Sequence, residues 1–169
     1  MTSLEFKQTV LPLKNKLFRF AMSFLKMQAD AEDVVQEVMI KCWESIKEPS
    51  KIENMEAFSM TLVRNKSLDK LKKKGRRYEE ISETFSLSSS GANPYEETAE
   101  KDTVGSIKRM INELPEKQRT VIILRDVEGF SYDEIAKILD MSLSLVKVNL
   151  HRGRKQVRTQ MMELENHGI

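Results

Sequence analysis

Cysteine, proline, glycine and aromatic residues are all scarce in this chain, and each shortage removes a class of protein. One cysteine among 169 residues, Cys42, excludes an intrachain disulfide and leaves no cysteine cluster for zinc; a buried, inert thiol is the expected state. Six glycines, four prolines and no stretch of alternating β-branched residues point away from β architecture and toward an all-α protein. No apolar run approaches the roughly 20 residues of a membrane span. The opening segment MTSLEFKQTVLPLKNK lacks the charged-then-apolar layout of a signal peptide, so a cytoplasmic protein is expected. No Walker loop, paired acid–base carboxylates in a Gly-rich cleft or nucleophile motif with a third partner is found. His151 and His167 stand without metal-ligand company. No catalytic residue, cofactor or metal is therefore expected, and the chain reads as a non-enzyme.

What is present is charge, unevenly spread. With 40% apolar residues the chain can bury one ordinary core or two small ones. The net charge of +2 conceals two basic runs. Arg64, Lys66, Lys70, Lys72, Lys73, Lys74, Arg76 and Arg77 fall within 14 residues that hold a single acid, Asp69, and a second run spans Lys147–Arg158. Each is a candidate phosphate-binding surface.

The first half reads as helices. Leu13, Leu17, Phe20 and Phe24 recur at helical spacing, and Asp30 with Asp33 forms a capping pair before AEDVVQEVMIKCWESI. There Ala31, Val34, Val35, Val38, Cys42 and Ile46 make the inner face, Glu32, Asp33, Gln36, Glu37 and Lys41 the outer, and Pro49 the end. A third helix over Glu53–Leu71 buries Phe58, Leu62 and Leu68 and runs into KKKGRR. From Tyr78 to Asp102 the composition changes to a serine run, Gly91, Pro94 and seven acids against Lys101 alone, with no period. It reads as a flexible acidic linker. Thr103–Leu114 and Pro115–Val127 are helical, closed by Gly129.

The segment Ser131–Arg154 carries the sharpest signal. Ser131 and Glu134 have capping-box spacing ahead of Ile135, Ala136 and Leu139, and Ser142 offers a second cap after a short turn. On the helix that follows, Leu143, Val146, Leu150 and Val157 face the core, while Lys147, His151, Lys155 and Arg158 line the outer side beside Val148 and Arg152. A solvated basic face is the plainer reading of such a stripe. The capping box, the short first helix, the turn and the outward Val148 favour a helix-turn-helix with its second helix in the major groove.

Three segments together resemble the sigma-70 family of bacterial RNA polymerase sigma factors, in its extracytoplasmic-function (ECF) subfamily. DAEDVVQEVMIKCW is similar to region 2.2, AFSMTLVRNKSLDKLKKKGRR to regions 2.3 and 2.4, and LPEKQRTVIILRDVEGFSYDEIAKILDMSLSLVKVNLHRGRKQVR to region 4. The resemblance implies a region 2 domain over residues 1–77, a linker over 78–102 and a region 4 domain over 103–169. It implies that Asp33, Gln36 and Glu37 grip core RNA polymerase. Arg64, Asn65, Lys66, Lys72, Lys73 and Arg76 would hold the opened −10 element, next to a base-capturing loop at Glu48–Met55. Lys147, Val148, His151, Arg152, Lys155 and Arg158 would meet the −35 element, the last two through phosphate. Lys70 replaces a frequent aromatic and adds a phosphate contact; Phe58, where the family usually has Trp, is core. An anti-sigma factor is a further implied partner. The alternatives are a helix-turn-helix repressor acting without polymerase, and a sigma-like polymerase adaptor without promoter recognition.

Overall fold

A capping box starts the chain. The Thr2 hydroxyl accepts the Glu5 amide at 3.3 Å and the Glu5 carboxylate accepts the Thr2 amide at 2.7 Å, which fixes the first turn of α1, Ser3–Thr9. A 3-10 turn at Leu11–Leu13, with Pro12 inside it, turns the chain into α2, Lys14–Leu25. Lys26, in the left-handed region at φ 59°, closes that helix. Then follow α3, Gln28–Ser45, and α4, Met55–Ser82. This computed structural model describes residues 2–45, 52–82 and 103–167, the stretch 76–82 as backbone only, and the chain divides into the units Met1–Ala92 and Asn93–Ile169.

In the first unit α2, α3 and α4 pack on one another around Leu17, Phe20, Val34, Val38, Met60 and Val63, none more than 2% exposed. Phe20 and Phe24 meet edge to face at 5.1 Å, the arrangement their ring quadrupoles favour. The expected inner face of α3 is buried at Ala31, Val34, Val35, Val38 and Cys42; Ile46 and Pro49 lie outside the described residues. Burial without a compensating charge raises the Cys42 thiol to about 11, so it stays protonated at neutral pH.

Three expectations need correcting. Helix α3 begins at Gln28, so Asp30 sits inside its first turn, where a carboxylate favours the helix dipole, rather than at a cap. The buried line of α4 is Ser59, Met60, Val63 and Ser67, with Phe58, Leu62 and Leu68 only half-buried. Serines lie under the helix and the larger side chains fill its flanks. Finally, α4 continues to Ser82, through residues 78–82 that were expected to open the linker. Glu79 and Glu80 are sound helix formers, and no proline interrupts before Pro94. The rest of the expected linker, 83–102, lies outside the described residues.

The second unit comprises α5, Thr103–Glu113; α6, Glu116–Ile122, which widens into a π turn at Ile123–Val127; α7, Tyr132–Ile138; and α8, Leu143–Asn166. Gly129, at φ 81°, supplies the left-handed residue between the π turn and α7. Arg119 is 8% exposed and donates to the Leu114 carbonyl at 2.9 Å, tying the end of α5 to α6. Burial pulls its guanidinium below the ordinary range, opposed by Glu116.

Helix α8 rests on α5, α6 and α7, and at Gly153 it lies close against Ile122 of α6. A Cβ there would stand 2.5 Å from Ile122 Cδ1 and 3.4 Å from Gln118 Cβ, so a larger side chain must displace buried Ile122. Gly153→Leu should destabilise this unit by about 1–3 kcal/mol through overpacking. Thermal denaturation followed by circular dichroism should show the lower midpoint.

Candidate nucleic-acid interface

Three local devices set the angle of α8. Ser131 and Glu134 form the expected capping box, at 3.1 and 3.0 Å. At the far end of α7 the Met141 amide donates to the Ala136 carbonyl at 3.0 Å and the Asp140 amide to Lys137 at 3.4 Å. With Asp140 left-handed at φ 50°, this is a Schellman closure, in which Asp fills a position usually taken by Gly. The Ser142 hydroxyl then accepts the Leu145 amide at 3.2 Å and starts α8.

The inner stripe of α8 is Val146, Asn149, Leu150 and Gly153. Asn149 joins it because its side-chain amide donates to the Leu145 carbonyl at 2.8 Å. Leu143, expected in the core, is 39% exposed: it is the helix's first residue and lies at the flank of the stripe. Val157 is half-buried, and Ile138 on α7 fills core not assigned from sequence. Lys147, Val148, His151, Arg152, Lys155 and Arg158 are all exposed on the outer side of α8.

Four of them, Lys147, His151, Lys155 and Arg158, line a cleft of about 460 Å³ together with Tyr132, Leu150 and Arg154. Sequence reasoning missed the wall that holds Arg154. Its guanidinium meets Asp126 twice, Nε to Oδ2 at 3.0 Å and Nη2 to Oδ1 at 2.5 Å, and this bond raises its pKa. Arg125 covers the Tyr132 ring at 4.5 Å and donates to the Phe130 carbonyl at 2.9 Å. Arg154 is thus neutralised within the protein, while Lys147, Lys155 and Arg158 show no ion pair among the described residues.

In the first unit Asp33, Gln36 and Glu37 lie exposed on α3. On α4 Arg64 and Lys66 are half-buried, and Asn65, Lys72 and Lys73 are exposed. Arg64 donates to the Asn65 side chain at 3.2 Å. The Arg76 side chain, and residues 48–51 of the expected capture loop, lie outside the described residues. Acidic and basic sets share one seam: Lys66 pairs with Glu37 at 3.1 Å, Lys70 with Asp33 at 3.2 Å, and Lys74 with Asp30.

Two family models match, "Sigma-70 region 2" over residues 10–77 and "Sigma-70, region 4" over residues 105–157. The RNA polymerase sigma factor SigV of Bacillus subtilis is 31% identical over 148 residues, covering 88% of this chain and 86% of that protein. The chain belongs to the sigma-70 family, in its ECF branch. The ECF RNA polymerase sigma-E factor of Escherichia coli K12 is 30% identical over 80% of this sigma factor and 75% of its own length. Among solved structures, the sigma factor RpoE from Bartonella quintana, in complex with the anti-sigma factor NepR, superposes with a TM-score of 0.75 at 27% identity, covering 94% of this chain and 97% of that one. The region 2 match takes in the seam between α3 and α4, and the region 4 match takes in α8 as far as Val157. No helix among the described residues of this sigma factor is long and apolar enough to cross a membrane.

The Asp126–Arg154 pair supplies a test of the cleft. Asp126→Asn should cost no more than about 1 kcal/mol of stability, since both side chains are over a third exposed. It should also steepen the salt dependence of duplex binding by about 0.9 in log–log slope, if the released Arg154 turns to phosphate. An unchanged slope would place Arg154 away from the DNA backbone.

Proposed function

We propose that this ECF sigma factor binds core RNA polymerase and directs it to a subset of promoters. Residues 1–77 form the polymerase- and −10-binding domain, whose last helix runs on to Ser82, and 103–169 form the −35-binding domain, with the linker between that helix and residue 103. The observation that carries the reading is the outer face of α8: exposed bases beside an exposed apolar residue, on the second helix of a capped helix-turn-helix. Lys147 and Arg152 donate to guanine acceptors, Val148 touches a thymine methyl, and Lys155 and Arg158 neutralise phosphate. His151, between them, faces the same groove. In the first unit Asp33, Gln36 and Glu37 present an acidic patch to a basic helical surface of the polymerase clamp. Arg64, Asn65, Lys66, Lys72, Lys73 and Arg76 follow the backbone of the opened non-template strand.

With polymerase as its partner the protein works in the cytoplasm and catalyses no reaction of its own. An anti-sigma factor is its expected regulator, as for the Bartonella relative crystallised with one.

Run-off transcription with purified core enzyme tests the whole reading. Promoter-dependent transcripts appear only when the protein is added; DNA binding without transcripts would favour the repressor, and polymerase binding without promoter selection the adaptor. Within an active system, Arg152→Ala should cost about 1–3 kcal/mol at one −35 position. Lys155→Ala should weaken all promoters alike. A panel of −35 variants reads the difference.

A further inference from the structure

Three lysines of α4 reach back to three acids of α3. Lys66 meets Glu37 at 3.1 Å, Lys70 meets Asp33 at 3.2 Å and Asp30 at 3.8 Å, and Lys74 meets Asp30. The lysines recur every fourth residue and the acids every third or fourth, the spacing that keeps side chains on one helix face. They form one ladder along the packed seam between the two helices. Its sides belong to surfaces assigned above to different partners: Asp33 and Glu37 to the polymerase, Lys66 and its neighbours to promoter DNA. Exposure is unequal across the rungs. The Asp33 and Glu37 side chains are 63% and 59% exposed, open to an incoming protein, whereas Lys70 and Lys66 are 27% and 25% exposed.

We propose that in the free protein the α3 acids are intramolecular counter-ions that mask the α4 lysines from nucleic acid, and that polymerase docking removes the mask. The proposal rests on the functional reading above. Basic groups of the polymerase take over Asp33 and Glu37, and the ammonium groups of Lys66 and Lys70 turn to the phosphate backbone. An ammonium already paired with a carboxylate releases less counterion on meeting phosphate and adds less affinity. The coupling is reciprocal: DNA held on α4 frees the acids and tightens polymerase binding by the same factor. Exposed ion pairs are individually weak, so each rung contributes about 1.5- to 5-fold, and the mask is graded rather than all-or-none.

The test needs no polymerase. Binding of the full-length protein to a fluorescent oligothymidylate of about 16 nucleotides, a generous single-strand site, is measured by anisotropy at low and physiological salt. Asp33→Asn with Glu37→Gln should bind roughly 2- to 25-fold tighter than the unaltered protein, from two rungs at the factor just given. Glu32→Gln with Glu44→Gln removes as much charge from the same helix outside the ladder, and should give a clearly smaller gain. In a background already carrying Lys66→Gln and Lys70→Gln, neutralising Asp33 and Glu37 should do no more than that control. Equal gains from ladder and control variants, or a gain that survives loss of the two lysines, would overturn the mask. If removing the lysines leaves DNA affinity unchanged even with the acids neutralised, α4 is not a nucleic-acid surface, and the functional reading of the first unit falls instead.

Discussion

The burial of one stripe of α8 against α6 and α7 is the constraint on which the DNA-facing geometry depends. Val146, Leu150 and Gly153 fix which way the helix faces, and rotation by a single residue, about 100°, would bury charge and expose aliphatic surface. Gly153 sets the depth of the contact. The caps at Ser131 and Ser142 and the left-handed Asp140 set the angle between α7 and α8. What is left outside is Lys147, Lys155 and Arg158, which show no ion pair among the described residues, and Arg154 held by Asp126 as part of the scaffold; on the proposed reading the first three supply the affinity for DNA.

The first unit divides its labour differently. Stability resides in the apolar contact among α2, α3 and α4, where Phe20, Leu17, Met60 and the α3 valines are sealed from water. The charges along the α3–α4 seam add little to that stability, because exposed pairs are screened and individually weak. Their consequence is local. Each carboxylate committed to an α4 lysine is one fewer available to a protein partner, and each such lysine is one fewer for phosphate. Weak pairs suit this role, since a partner can exchange them at small cost.

The helix-turn-helix was legible in the sequence because its determinants are local. Ser131 with Glu134, the Ser142 cap and the outward run from Lys147 to Arg158 are fixed by spacings of three and four residues. The inner face of α3 was legible for the same reason. The inner face of α4 was not, since Ser59 and Ser67 are polar by type and buried only because small side chains sit where helices meet. Leu143 shows the converse: its type suits a core, but its place at the helix start leaves it at the surface. Asp33 with Lys70 and Asp126 with Arg154 are joined across 37 and 28 residues, and no local pattern announces either.

On the proposed reading the outer face of α8 lies on promoter DNA when the protein is bound to core polymerase. Photocrosslinking tests it most directly, with a photoreactive phenylalanine placed at Val148 on the outer face, or at half-buried Val157, in reconstituted holoenzyme on end-labelled promoter DNA. Position 148 should give a crosslink confined to the −35 element, and position 157 little or none. Crosslinks of equal strength from both positions, or none at the −35 element from position 148, would contradict it.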